Sequence, residues 1–384
     1  MTSSQSHASP PDTTTNATCR VLTGAQISKP FSAEIKATTQ ALLSSRQERR
    51  PKLRAILGPP SAGTGDNGPS RAYAQWTGKA CEAVGIEFEL VEVRDGEGDE
   101  GFGQVEEEIL KANADDEVDG IMVYYPCFGV TQDQYLQQVV CASKDVEGMN
   151  FTSLFKLYHN IRYIQPRSLG ISPTSTTQPQ MVAHSTETPP EGMVKAILPC
   201  TPLAIVKTLE FAGVYDPKLE YGDRAFGKVI TIINRSEVVG RPLAALLAND
   251  GARVFSVDIN SNQEFTRRRK EDRDEKGERN LLLPRHVVRL TKLSLAECLA
   301  LSDVVVSGVP GDKYKVKTSE LKQGVIVVNF SSGDNFEADI RSKASVHVPA
   351  IGKVTIAMLQ RNLLRLKEYR ETARRELGLK SSSS

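Results

Sequence analysis

IINRSEVVGRPLAALLANDG, residues 232 to 251, reads as a strand that turns sharply into a helix. Ile232 and Ile233 close an apolar run that begins at Val229, and Leu243, Leu246 and Leu247 then recur at helical spacing. Between the two runs lie Asn234-Arg235-Ser236 and Gly240-Arg241-Pro242. A strand that leaves through a polar turn into a helix is the first half of a βαβ unit. The three-glycine fingerprint of many dinucleotide turns is absent, and the turn from Asn234 to Gly240 is longer. On local chemistry alone it is equally an ordinary βα loop.

The next strand changes that balance. ARVFSVDI, residues 252 to 259, carries Asp258 at its end. In dinucleotide-binding units an acid roughly 20 residues after the glycine turn accepts hydrogen bonds from the adenosine ribose hydroxyls. Gly240 to Asp258 is a spacing of that order, against the plainer reading of an exposed strand-end carboxylate. A negative charge there also repels a 2′-phosphate, so the pattern favours NAD over NADP. Asn234, Arg235, Ser236 and Gly240 become candidate cofactor residues, with Arg235 and Ser236 placed to touch the pyrophosphate. SDVVVSGVP (302–310) and GVIVVNF (324–330) continue the series as buried parallel strands. Gly308 follows the first of them and permits close approach to the nicotinamide side.

Upstream, KLRAIL (52–57), EFELVEV (87–93) and GIMVYYP (120–126) read as strands. They alternate with helical patterns over 26–43, from Ser70 as N-cap, and over QVEEEILKANA (104–114). PCTPLAIVKTLEFAGV (199–214) is a further helix with Pro202 in its first turn. The alternation predicts an α/β protein of two α/β domains, the second a Rossmann-type parallel sheet. The expected boundaries are a disordered tail over 1–25, a first domain over 26–200 and a second over 201–345. A long C-terminal helix within 346–378 returns to the first domain or packs on a partner. The Ser-, Thr- and Pro-rich segment 165–192 reads as a flexible insertion, and the mixed charge run 266–280 as a solvated excursion.

The chain has 384 residues, 39% hydrophobic and 25% charged, with a formal net charge of +1. No global field favours nucleic acid, and no apolar run reaches membrane-spanning length. Six cysteines lack a CxxC pair and five histidines lack a metal-binding spacing, so no metal is expected. The start has no secretory pattern, which points to the cytoplasm.

Several motifs together resemble the methylenetetrahydrofolate dehydrogenase/cyclohydrolase family. NRSEVVGRPLAALL is similar to its GRSxxVGxP signature, PCTPLA (199–204) to PCTPxG, and SRAYAQWTGKACEAVGI (70–86) to its SxxYxxxKxKxxxxxGI helix. DGIMVYYP (119–126), KDVEG (144–148) and VPAIGKVTIAML (348–359) fall where the family has DGxxVQLP, KDVDG and VPGGVGPxTxAML. The order is that of the family. The departures resemble its monofunctional NAD-dependent fungal branch, typified by the yeast cytosolic enzyme. The resemblance implies a folate-binding first domain, an NAD-binding second domain, a homodimer, and hydride transfer from a tetrahydrofolate derivative.

Site residues follow from the resemblance. Tyr73 stands where the family tyrosine packs along the folate, and Glu147 where an aspartate accepts from the pterin. Thr77 stands in place of the family's catalytic lysine, and Tyr124 in place of the amide that holds it. Lys79, two positions on, should point away from the cleft, because two residues turn a helix by roughly 200°. Cys200 heads the PCTP helix and lines the cleft or is simply buried. Pro349 opens a loop one residue shorter than the family's. Each also has a plain structural reading: a half-buried helix tyrosine, a solvated carboxylate, an inert thiol. The open alternatives are a bifunctional dehydrogenase/cyclohydrolase, another NAD(P) dehydrogenase of this fold, and a non-catalytic folate- or NAD-binding protein.

Overall fold

The computed structural model describes residues 19–44, 49–59, 68–93, 99–169, 186–268 and 282–378. The opening stretch is β7 (Val229–Ile233), a turn, and α7 (Gly240–Asn249), followed by β8 (Arg253–Asp258). β7 pairs in parallel with β8 on one side and with β11 (Val304–Ser307) on the other. Beyond β11 come β12 (Ile326–Asn329), β13 (Val346–Val348) and the two-residue β1 (Arg20–Val21), all parallel. These strands are buried almost throughout, as parallel strands covered on both faces are.

The sequence reading expects a parallel sheet here, but the sheet is mixed. β9 (Ser261–Arg268) and β10 (Leu282–Leu290) add an antiparallel pair beyond β8, giving a mixed sheet of eight strands. Thr266, Arg267 and Arg268, expected in a solvated excursion, therefore belong to β9. Residues 269–280 of that charge run lie outside the described residues.

The first sheet is small and parallel, in the order β3 (Glu87–Glu92), β2 (Lys52–Leu57), β4 (Gly120–Val123). Around it stand α1 (Gly24–Ser44), α2 (Gly68–Ala83), α3 (Asp99–Ala114), α4 (Val130–Val139) and α5 (Phe151–Tyr158). α2 starts two residues before Ser70, which lies in its first turn and is not an N-cap. β5 (Tyr163–Ile164) and β6 (Val194–Lys195) form a short antiparallel pair flanking the expected insertion, of which 170–185 lies outside the described residues. Of the expected N-terminal tail, residues 20–21 form β1 and 24–25 open α1; 1–18 lie outside the described residues.

α6 (Cys200–Ala212) and α9 (Gly352–Glu376) join the halves, while α8 (Leu295–Leu301) packs within the second. α9 leaves β13 and packs on α1, α6 and β4. Its far end is held by Arg370 on Asp119 at 2.5 Å and by Arg374 on Asp116 at 2.7 Å. Asp119 is buried and also takes Arg49 at 2.7 Å, so one carboxylate ties β4 to two distant segments. The main apolar core runs continuously through both halves.

Candidate active site

In the first half, α2, the end of β4, the segment 145–148 and the start of α6 bring five predicted residues together. Tyr73 and Tyr124 meet edge to face, with ring centroids 6.1 Å apart. Thr77, one turn after Tyr73, is fully buried, and its hydroxyl donates to the Tyr73 carbonyl at 2.9 Å. The Tyr124 hydroxyl is buried beside the Thr77 hydroxyl, which partly offsets the upward push of burial on Tyr124. Lys79 is exposed, as the helical turn requires.

Glu147 accepts from the Val123 N–H at 3.1 Å, while its own carbonyl accepts from the Cys200 N–H at 3.0 Å. This bond pair places the carboxyl between the end of β4 and the head of α6. Burial, reinforced by the neighbouring Asp145, pushes Glu147 up to about 8. Glu147 accepts here, as the sequence suggested, and the upward shift favours its protonated form near neutral pH, in which it can donate as well. Burial likewise pushes Tyr73, Tyr124 and the Cys200 thiol well above their ordinary values. Burial thus favours the neutral form of each of these four groups.

One residue not singled out from the sequence holds this cluster, and another caps α5. Asn362 of α9 donates to the Val146 carbonyl at 2.9 Å and the Leu198 carbonyl at 3.0 Å, pinning both segments that carry Glu147 and Cys200. Asn150 accepts from the Thr152 N–H at 2.9 Å and caps α5; its place before an apolar run was a readable signal.

In the second half, the turn after β7 is shaped by close contact. Gly240 packs so tightly that a Cβ would lie 1.9 Å from the Asn234 carbonyl oxygen, so only glycine fits. Asn234 adopts a left-handed φ of 87°, and its amide donates to the Gly308 carbonyl at 2.6 Å, tying the β7 and β11 turns together. The Ser236 hydroxyl accepts from the Val239 and Gly240 N–H groups, each at 3.3 Å. The N–H groups of Ser236, Glu237 and Val238 make no hydrogen bond among the described residues. Three consecutive N–H groups left free at a helix entrance are donors of the kind that bind anions.

Asp258 accepts from the Arg235 N–H at 2.9 Å and the Ile259 N–H at 2.7 Å, one on each oxygen. Both oxygens keep a lone pair for a ribose hydroxyl. One terminal nitrogen of the Arg235 guanidinium donates to the Ser261 carbonyl at 2.7 Å and hydroxyl at 2.9 Å, fastening the β8–β9 corner, while the other has no partner among the described residues. At Gly308 a Cβ would fall 2.0 Å from the Phe330 ring. Its missing side chain makes room for Phe330. Pro349 is exposed at the end of β13, and its carbonyl accepts from Asn329 at 3.1 Å. Asn329 also holds the Gly333 carbonyl at 2.8 Å, and its own side-chain oxygen is buried without a partner.

An α/β pair of sheets with an anion-binding turn, a strand-end acid and a buried aromatic cluster defines a nucleotide-linked enzyme of two lobes. Residues 22–147 match the family model described as tetrahydrofolate dehydrogenase/cyclohydrolase, catalytic domain. Over 351 residues the chain is 43% identical to the methylenetetrahydrofolate dehydrogenase [NAD(+)] of Saccharomyces cerevisiae, covering 90% of this chain and 95% of that protein. The Schizosaccharomyces pombe protein of the same name is 41% identical over 355 residues, covering 92% and 95%. The solved NAD-dependent 5,10-methylenetetrahydrofolate dehydrogenase from S. cerevisiae superposes with a TM-score of 0.75, at 41% identity, covering 92% of this chain and 99% of that one. The chain belongs to the tetrahydrofolate dehydrogenase/cyclohydrolase family.

Proposed function

We propose that this chain is an NAD-dependent methylenetetrahydrofolate dehydrogenase that oxidises 5,10-methylenetetrahydrofolate to 5,10-methenyltetrahydrofolate and lacks cyclohydrolase activity. The reaction rests on the likeness, over nine-tenths of the chain, to relatives bearing that name. NAD, when bound, accepts the hydride. The free N–H groups of Ser236, Glu237 and Val238 hold its pyrophosphate, and Asp258 takes the adenosine ribose. Tyr73 supplies a flat surface for the folate, and Glu147 and Cys200 line the same wall. Pro349 and Gly308 border the meeting place of the two ligands. Hydride leaves a carbon whose flanking nitrogens spread the resulting charge, so no proton moves in this step. Positioning is then the main contribution of the protein.

The loss of hydrolysis rests on Thr77. Its hydroxyl is fully buried and committed to the Tyr73 carbonyl, with no base beside it to activate water. The test is the decay of methenyltetrahydrofolate absorbance with purified protein and no nucleotide. The rate should equal that of buffer alone; enzyme-dependent hydrolysis would overturn the reading.

The same reading includes a homodimer and a cytosolic location. The edge strand β10 presents Leu290 and Val288 to solvent, which suits a self-complementary contact through the nucleotide half. None of the six cysteines forms a disulfide, which suits a reducing compartment. Light scattering on the purified chain, and on a Leu290→Lys variant, tests the dimer.

A further inference from the structure

A cavity with about 130 Å³ of free volume is lined by none of Tyr73, Thr77, Tyr124, Glu147 and Cys200, nor by any residue of the turn after β7. It is closed by the end of α5, one face of α6, the segment 215–224, the C-terminal end of α7 and the middle of α9. Seven cationic side chains line it against three carboxylates. The chain as a whole carries a net charge of only +1, so this excess is local.

The three carboxylates are already engaged. Asp250 takes Arg162 at 2.6 Å and the Tyr215 hydroxyl at 2.9 Å. Glu210 takes Lys207 at 2.8 Å. Glu187 takes Arg224 at 2.9 Å, with Lys195 only at 4.0 Å. That leaves Lys156, whose buried ammonium has no hydrogen-bond partner among the described residues, and Arg361 and Arg365, one turn apart on α9. Arg361 reaches Glu34 at 3.5 Å, a residue outside the cavity. Arg365 is half-buried and has neither a carboxylate nor a hydrogen-bond acceptor among the described residues. Three further cations crowd one ring: Arg162, Lys195 and Arg224 stand 5.1, 5.4 and 5.7 Å from the Tyr221 centroid.

Half-buried like charges repel and lose hydration, and both costs are relieved by a counter-ion. Burial first, and then the neighbouring cations, hold Arg365 below its ordinary value, and Lys195 is lowered by burial with Arg365 among its opponents. Guanidinium forks match an acceptor with several oxygens and more than one charge. The free volume admits on the order of ten waters, enough for a small anion and too little for a dinucleotide. We propose that this cavity binds a phosphoryl dianion, either free phosphate or a small phosphomonoester, through Arg361, Arg365 and Lys195.

The test uses the full chain saturated with NAD, so that the cofactor turn is filled. Inorganic phosphate and glycerol phosphate are each titrated against sodium chloride of equal ionic strength, read by thermal melting and calorimetry. Phosphate should raise the melting temperature beyond chloride. Arg365→Gln should weaken phosphate binding on the order of tenfold or more. In chloride the same variant should melt no lower than wild type, because it removes an unpaired charge, and its dehydrogenase rate should be unchanged. Lys195→Gln provides an independent check should the first variant fold poorly. The tighter of the two anions identifies the occupant. The absence of a phosphate-specific shift in wild type, or an equal shift in the variants, overturns the proposal.

Discussion

Glu147→Gln isolates the least expected property of the site. Gln keeps the acceptor for the Val123 N–H but cannot ionise. Glu147 is pushed from an ordinary 4.5 up to about 8 in the folded chain, first by burial and then by Asp145. A raised carboxyl leaves stability intact where it is protonated in both states, below about 4.5. The folded state then loses ground as pH rises toward about 8, because the unfolded chain ionises first. At about 1.4 kcal/mol per pKa unit the full span is bounded near ~5 kcal/mol. Water entering the open cleft reduces this to about 1–3 kcal/mol. Wild type and variant should therefore melt within about 1 °C of each other at pH 5, and the variant should melt higher by about 2–4 °C at pH 8. The assay is thermal unfolding by circular dichroism at half-unit pH steps. Parallel curves from pH 5 to pH 8 would refute a buried, protonated Glu147.

Three further outcomes are expected. Asp258→Ser should lower kcat/KM for NAD by about tenfold or more and narrow the preference over NADP, since it removes both an acceptor and a repelling charge; initial rates with each nucleotide check this, and unchanged selectivity would remove Asp258 from the cofactor site. Tyr73→Ala should raise KM for the folate about tenfold with KM for NAD nearly constant, because the lost surface faces Tyr124 and not the β7 turn; equal weakening of both would indicate a folding defect. Gly240→Ala should cost about 2–4 kcal/mol of stability or displace the turn and raise KM for NAD, since its methyl meets a carbonyl at 1.9 Å; a variant normal in both would contradict the packing described.

The parts of this fold legible in the sequence were those written in local period. The β7–turn–α7–β8 unit announces itself because an apolar strand, a polar turn and a helical repeat follow one another within a single short stretch. β9 and β10 did not, because their connection runs through a charge-rich segment and β10 carries Pro284 and alternates only loosely. β1 is two residues long, and only its pairing with β13 makes it a strand. At the site, spacing alone gave the turn and Asp258. Tyr73, Thr77, Tyr124, Glu147 and Cys200 lie on four separate elements, and only a family resemblance joined them before the structure did. The tasks of Arg235, Gly308 and Asn362 are tertiary: each is decided by a partner far along the chain, Ser261, Phe330 and Val146 respectively.

The chemistry proposed here also explains why the first-half wall is neutral. The methenyl product carries a positive charge spread over two nitrogens. A lysine ammonium at position 77 would face that charge, and its service to the reaction is proton handling, which the hydride step does not need. Thr77 removes the repulsion and spends its hydroxyl on the Tyr73 carbonyl instead. Tyr124 fills the space beside it with an aromatic ring, and Tyr73 presents another. Ring faces attract cations without needing to be ionised. Glu147 completes the set: burial pushes it up to about 8, which favours the neutral form near pH 7, and a cation held beside it would favour the ionised form. A cationic product next to Glu147 should draw its pKa down, so the pH at which Glu147 ionises should fall on binding methenyltetrahydrofolate. Proton release on binding, measured by calorimetry in buffers of different ionisation enthalpy at pH 7, reads this directly. Its absence in wild type, or its persistence in Glu147→Gln, would place the product's charge elsewhere.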